Sequence, residues 1–123
     1  MKYFSFAEFS RSATAAEKGI DNTIPFAAKV NIERLVRLIL DPVRMAWGAP
    51  LYVTSGYRCV RLNVEVGGAK KSYHKCYDDH AAADITTGSR DGNIELYNAI
   101  KDSSLPYLEL ICEGDGAWLH VAI

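Results

Sequence analysis

The three histidines of the chain, His74, His80 and His120, all fall late in the sequence, and carboxylates cluster near them. The nearby acidic residues are Asp78, Asp79, Asp84, Glu113 and Asp115. Zinc hydrolases typically hold the metal with three His, Asp or Glu side chains and leave one position for water. Bound zinc lowers the pKa of that water to about 7, which makes hydroxide available at neutral pH. A His–Asp–His set would therefore suffice for zinc-dependent hydrolysis, although residue types alone do not choose the ligands.

Two of these residues stand in apolar surroundings. Asp84 lies within Ala82-Ala83-Asp84-Ile85, and His120 lies within Trp118-Leu119-His120-Val121. A lone histidine in such a strand is more often a hydrogen-bonded core residue, but an isolated buried aspartate is unfavourable unless it is paired, hydrogen-bonded or bound to metal. One shared metal ion explains both residues.

Length, charge and cysteine usage limit the class of protein. A chain of 123 residues predicts one domain over residues 1–123. The net charge of −1 argues against a nucleic-acid binder, and no apolar run approaches the ~20 residues of a membrane span. Three irregularly spaced cysteines predict free thiols rather than a disulfide framework. The N-terminus lacks the apolar stretch of a secretion signal, so we expect synthesis in the cytoplasm, no membrane insertion and a monomer.

Hydrophobic periodicity predicts helices first and then strands with a helix between them, which is an α+β class. Ser5 and Glu8 form a capping box that predicts a short helix ending near Gly19. A second helix is predicted over 27–47, with a kink or break before Val43 because Pro42 lies inside it. The remaining predictions are strands at 51–54, 82–85, 108–112 and 118–121, with a helix at 91–101 and a hairpin joining the last two strands.

Six short segments, taken in order, resemble a known pattern. They are Ser55-Gly56-Tyr57-Arg58, Leu62-Asn63, Val66-Gly67-Gly68, Ser72-Tyr73-His74, Ala82-Ala83-Asp84-Ile85 and Trp118-Leu119-His120-Val121. Over nearly its whole length the chain resembles the M15 family of zinc peptidases, the D-Ala-D-Ala carboxypeptidase and endolysin group, and especially its small phage-type branch. The resemblance implies a small antiparallel sheet with N-terminal helices packed against it and a zinc site on the sheet, as in Hedgehog-like folds.

Position by position, the resemblance implies that Zn²⁺ is bound by His74, Asp84 and His120. Arg58 matches the family arginine that binds substrate and stabilises charge on the attacked carbonyl, and a fixed guanidinium suits a developing oxyanion. Ser72 is expected to line the same pocket, either bonding substrate or shaping the loop. The implied reaction is hydrolysis of peptide bonds in peptidoglycan stem peptides by zinc-bound water, as a carboxypeptidase or an endopeptidase.

The first departure from the family pattern is the spacing of two ligands. Asp84 follows His74 by ten residues, three more than the family spacing, and the extra residues are roughly Tyr77-Asp78-Asp79. A loop absorbs such an insertion at small entropic cost. The insertion leaves His80 as a rival ligand, since His80 and Asp84 are four residues apart. We favour His74 because it keeps the Ser-x-His context.

The second departure concerns the general base. Many family members carry an acidic residue three positions before the final histidine, and here that position is Ala117. The nearest candidate is Glu113, which would help to deprotonate the water and then serve the leaving amine. Asp115 and Glu109 are weaker alternatives. If Glu113 lies opposite Trp118 in the hairpin it faces the final histidine, whereas opposite Ala117 it would point away.

The missing acidic residue leaves an alternative function open. The chain could be a non-catalytic module of the same fold that binds wall peptide or a partner protein, with a structural or vestigial zinc site. Under either interpretation the expected place of action is the bacterial cell wall, with the export route undetermined. A phage or prophage lysis role fits a chain without an evident signal.

Overall fold

Four strands form one antiparallel sheet in the computed structural model, which describes residues 1–123. They are β1 (Tyr52–Ser55), β2 (Ala82–Thr86), β3 (Glu109–Glu113) and β4 (Trp118–Ala122). Their order across the sheet is β1-β2-β4-β3. The combination of this small antiparallel sheet with helices confirms the predicted α+β class.

The helices lie before β1, between β1 and β2, and between β2 and β3. They are α1 (Phe6–Ser10), α2 (Ala13–Lys18), α3 (Phe26–Leu35), a π-helical turn (Val36–Leu40), α4 (Asp41–Trp47), α5 (Val60–Glu65), a 3₁₀ turn (Tyr73–Lys75) and α6 (Arg90–Lys101). None of them is both long and apolar enough to cross a membrane.

The two central strands divide the sheet into an apolar face and a polar face. Ile85 pairs with Leu119 across β2 and β4, and both side chains are fully buried. Asp84 pairs with His120 in the same ladder, so these two side chains point to the opposite face. The apolar face packs in one hydrophobic core with residues of α1, α3, the π turn, α4 and α6. The candidate site lies on the polar face.

The N-terminal segment differs from its prediction. Ser5 caps α1 by accepting a hydrogen bond from the Glu8 amide, as the capping box indicates, but the helix ends at Ser10. Ser12 is extended, with φ −154°, and its hydroxyl accepts from the Ala15 amide, so it starts a new helix. The preference of serine for the N-cap position explains the break.

The segment around Pro42 remains helical. Proline lacks the amide that would bond one turn back, and the irregularity appears as the π-helical turn Val36–Leu40, after which α4 begins. In the same segment, Ile32, Leu35 and Ile39 are fully buried, whereas Val30 is half exposed.

Candidate metal centre

Asp84 and His120 meet because their strands are paired in register. Asp84 is directly opposite His120, and its Oδ1 lies 3.1 Å from His120 Nδ1. Both side chains are largely shielded from solvent, at 10% and 14% exposure. The two residues that stood out in apolar segments therefore face each other.

His74 reaches the same carboxylate from a loop. It lies in the 3₁₀ turn Tyr73–Lys75, is buried, and places Nε2 3.2 Å from Asp84 Oδ1. Its other nitrogen, Nδ1, is 2.8 Å from the Gly56 carbonyl oxygen. Because a carbonyl oxygen only accepts, Nδ1 must carry the proton there, which directs Nε2 toward Asp84.

The three side chains fit one zinc ion. One nitrogen of each histidine and one oxygen of Asp84 all lie within 4.8 Å of one another. Atoms bound to one tetrahedral zinc at about 2.0–2.1 Å lie about 3.3 Å apart, close to the 3.1 and 3.2 Å separations from Asp84. Two imidazoles and a carboxylate are also the donors of catalytic zinc sites that keep one position open.

The electrostatics of the cluster favour an ionised aspartate. Burial opposes the charge, but hydrogen bonds from His120 and His74 outweigh it and lower the pKa of Asp84 to about 2. The pKa of His120 is raised: burial works against its cationic form, and the hydrogen bonds with Asp84 and Glu109 prevail. A carboxylate that stays ionised in a buried place is suited to hold a cation.

Glu109 contacts the site through His120. Its Oε1 lies 2.8 Å from His120 Nε2, the nitrogen that points away from Asp84. Glu109 pairs with Ala122 in β3–β4, two residues beyond His120, so it is a diagonal neighbour on the polar face. From the sequence, Glu109 is only a weaker candidate for the base, because its contact with His120 depends on the register of β3 and β4.

His80 is held away from the cluster. Its ring stacks on Tyr73 at 4.2 Å between centroids, and its Nδ1 lies 3.1 Å from the backbone oxygen of Ile123. It is absent from the group of side chains that converge on one point. The structure thus brings His74, rather than the rival His80, to Asp84.

Arg58 reaches the carboxylate from the turn after β1. Its Nη2 lies 3.9 Å from Asp84 Oδ2, while its Nε donates to Ser55 Oγ at 3.3 Å. The backbone amide of Arg58 also donates to the His74 carbonyl. The pKa of Arg58 is lowered by burial, and the charge of Asp84 partly offsets that effect.

Gly56 explains why this turn contains a glycine. A Cβ at Gly56 would lie 2.6 Å from the Phe9 Cα, so helix α1 packs directly on the bare backbone. The adjacent Tyr57 amide donates to the Phe9 carbonyl. The segment Ser55-Gly56-Tyr57-Arg58 therefore docks on α1, supplies the carbonyl that orients His74 and presents Arg58 to the site.

Asn22 is a further supporting residue that the sequence did not single out. It is buried, and its amide nitrogen donates to the Ser10 and Tyr57 carbonyls. Its Oδ1 accepts from the Cys59 amide. One side chain thus ties the N-terminal helices to the turn that carries Arg58.

A cleft of about 340 Å³ opens beside His120. Ser72 lines it, and its hydroxyl also accepts a hydrogen bond from the His74 amide, so it shapes the loop that positions that histidine. The other lining residues are Ala69, Lys71, Tyr73, Glu109, Ile111, Glu113 and His120.

Glu113 lies in this cleft because of the hairpin register. It pairs with Trp118, the alternative that turns its side chain toward the face of His120, and it makes no ion pair. Asp115 lies in the turn with φ +54° and does not line the cleft. Ala117, the last residue of the same turn, is exposed.

Two strands of the sheet and a neighbouring loop form a largely buried His–Asp–His cluster beside an arginine and a carboxylate without an ion-pair partner. Such an arrangement is typical of metal-dependent hydrolases. The chain belongs to the Peptidase M15 family, whose model matches residues 2–122. This finding confirms the family resemblance and indicates a metallopeptidase. Neither the curated proteins nor the solved structures compared with the chain gave a match.

Proposed function

We propose that the chain is a zinc-dependent peptidase that hydrolyses peptide bonds in peptidoglycan stem peptides. The observation that carries this proposal is the convergence of His74, Asp84 and His120 within 4.8 Å, beside a cleft that contains a carboxylate without an ion-pair partner. Membership of the Peptidase M15 family supports the reaction class.

The three converging side chains would hold the metal. Zinc, when bound, lowers the pKa of water and polarises a carbonyl oxygen. Asp84 stays ionised at neutral pH because its pKa is about 2, and the Gly56 carbonyl fixes the ring of His74. Such partners orient ligands and raise their basicity.

The remaining residues would bind substrate and move protons. Glu113 takes a proton from the attacking water and gives it to the leaving amine, since it reaches the cleft without an ion-pair partner. Arg58 stabilises negative charge on the carbonyl oxygen with its largely buried guanidinium. Ser72 lines the cleft and holds the His74 loop through its hydrogen bond from the His74 amide.

The deciding experiment is digestion of purified peptidoglycan by the zinc-loaded protein, with the released peptides identified by mass spectrometry. Glu113→Gln should lower the rate by about 100-fold or more, the usual contribution of a general base, while the protein still binds about one zinc ion. Glu95→Gln, an exposed residue on α6, is the matched control. Equal rates in wild type and Glu113→Gln would exclude Glu113 as the base.

The alternative function is a wall-peptide-binding module without catalysis. The exposed Ala117 favours it, because no carboxylate occupies the position where many family members carry one. Binding of stem peptides with no cleavage by the zinc-loaded wild type would establish this alternative.

A further inference from the structure

A second cavity adjoins the candidate metal centre on the side away from Glu113. It has a volume of about 250 Å³ and lies between the junction of α1 and α2 and the turn after β1. One of its residues, Ser55, is the register partner of Asp84, so the cavity begins next to the cluster. Its polar lining consists of Arg11, Ser12, Thr14, Thr54, Ser55 and Arg58.

This cavity is cationic and contains no carboxylate. Two arginines line it: the guanidinium of Arg58 is held by Ser55, Asn63 and Asp84, whereas the exposed Arg11 takes part in none of the ion pairs of the protein. Several hydroxyl groups surround them. A guanidinium beside hydroxyl donors matches a carboxylate, which accepts several hydrogen bonds at once.

The cleft on the other side of the cluster has the opposite character. It is lined by Glu109 and Glu113, with Lys71 as its one lysine. The candidate metal centre therefore lies between a cationic and a mainly acidic pocket. A peptide bound across the sheet would experience this charge difference, which favours one direction of binding.

We propose that the cavity lined by Arg11, Thr14 and Arg58 is a substrate subsite that binds a carboxylate of the peptide, and that Arg11 determines this specificity. The proposal rests on the proposed function for the identity of the ligand as a peptide. It places the carboxylate-bearing part of the substrate on the β1 side of the candidate metal centre. The part on the other side of the scissile bond then lies in the cleft that contains Glu113. Because α1 ends at Ser10 and α2 begins at Ala13, Arg11 lies in the break between the two helices and lines the cavity.

The test uses a stem-type peptide and a series in which each carboxylate in turn is replaced by a carboxamide. With the zinc-loaded wild type, one replacement should lower kcat/KM roughly tenfold, the effect expected for losing a charged hydrogen bond. In Arg11→Gln, the acid and amide forms of that peptide should be cleaved equally, at the lower rate. Arg61→Gln removes the same charge from an exposed position of α5 outside the cavity and should keep the wild-type preference.

The outcomes separate this subsite from the proposed function. If the wild type cleaves the peptides and every amide as fast as its acid, or if Arg11→Gln keeps the preference, the subsite is wrong while the peptidase proposal stands. If no peptide is cleaved, the peptidase proposal fails. Calorimetric binding of the acid and amide peptides to the same proteins then decides whether the subsite exists. The subsite proposal requires that one amide peptide binds more weakly than its acid form to the wild type, and that Arg11→Gln binds the two forms equally.

Discussion

At the scale of single residues, His120 has a carboxylate on each of its ring nitrogens. Asp84 lies 3.1 Å from Nδ1, and Glu109 lies 2.8 Å from Nε2. When Nδ1 binds a metal, Nε2 must carry the proton and donate it to Glu109. We therefore expect Glu109 to act as a positioning residue that fixes the tautomer and orientation of His120.

The role of Glu109 predicts a graded effect on zinc affinity. Glu109→Ala should weaken zinc binding at least tenfold because the ring of His120 loses its partner. Glu109→Gln should stay close to wild type, since the amide oxygen still accepts the hydrogen bond. Competition with a chromogenic zinc chelator gives the Kd values. Equal affinity in Glu109→Ala and wild type would refute this role.

The pKa of Asp84 predicts an acid-sensitive contribution to the stability of the metal-free protein. A pKa of about 2 in the folded state, below the ordinary 3.8, means that ionised Asp84 stabilises the fold above about pH 4. This stabilisation is lost as the pH falls through the folded pKa. The lost contribution to the free energy of unfolding is about 2 kcal/mol.

Urea unfolding of metal-free wild type and Asp84→Asn, from about pH 5 to about pH 2, measures this contribution. The asparagine variant cannot titrate at this position, so the stability difference between the two proteins should change by about 2 kcal/mol over that range. Parallel stability curves would show that the two histidines do not hold the carboxylate ionised.

The site residues differ in how far the sequence could predict them. Asp84 and His120 stand out because a polar group within an apolar strand needs a partner, which is a local signal. The contact of Glu109 with His120 depends on which residues of β3 and β4 are paired, and that is a property of the assembled hairpin. A shift by one residue would turn Glu109 and Glu113 away from the site.

At the scale of elements, the loop that carries His74 is held by hydrogen bonds from α3, although it contains three more residues than the family spacing. Asp78 and Asp79 adopt left-handed φ angles of +48° and +64°, which aspartate tolerates better than most residues. From α3, Asn31 donates to the Cys76 carbonyl and Arg34 donates to the Asp79 carbonyl. The extra residues therefore form an anchored bulge and leave His74 in place.

The loop after α5 holds Arg58 through Asn63. Asn63 is buried, its Oδ1 accepts from Arg58 Nη1 at 3.3 Å, and its amide donates to the Ala69 carbonyl. A Cβ at Gly68 would lie 2.1 Å from that Oδ1. The absence of a side chain at Gly68 is what lets Asn63 support the arginine.

This packing predicts a non-additive pair of variants. Gly68→Ala should displace Asn63, loosen Arg58 and lower kcat/KM roughly tenfold, with zinc affinity unchanged. Asn63→Ala should have a similar effect and removes the atoms that the new methyl group would strike. The double variant should therefore be no slower than Asn63→Ala alone. A double variant whose loss is the product of the two single losses would contradict this coupling.

The elements were predictable where a local signal dominates. The four strands and α6 lie within a residue or two of their predicted bounds because apolar and β-branched runs end at turn residues. The break between α1 and α2 is not evident from the sequence, because Ser12 also fits a helix interior by pattern and only its capping bond to the Ala15 amide starts the new helix. In α6, the polar Asn93 is buried because its side chain bonds Thr86 and the Gly116 carbonyl, whereas the neighbouring Ile94 is exposed.

At the scale of the whole molecule, the three candidate ligands come from a loop and two strands that are distant in sequence. They meet only when β2 has paired with β4 and the His74 loop has docked on the turn after β1. The unfolded chain holds no such arrangement, so a metal ion that binds all three residues binds almost exclusively to the folded state.

Zinc should therefore raise the thermal stability of the protein, independently of any catalytic activity. With free zinc at about 1,000 times its Kd, linkage adds about 4 kcal/mol, which for a domain of this size corresponds to an increase in Tm of roughly 10–15 °C. Thermal unfolding followed by circular dichroism, with zinc and with a chelator, measures the difference. His120→Ala should abolish the shift because it removes a ligand, whereas His80→Ala should retain it because that ring stacks on Tyr73 away from the cluster. The same Tm with zinc and with chelator in the wild type, or a shift that disappears in His80→Ala and survives in His120→Ala, would show that the three residues do not hold the ion.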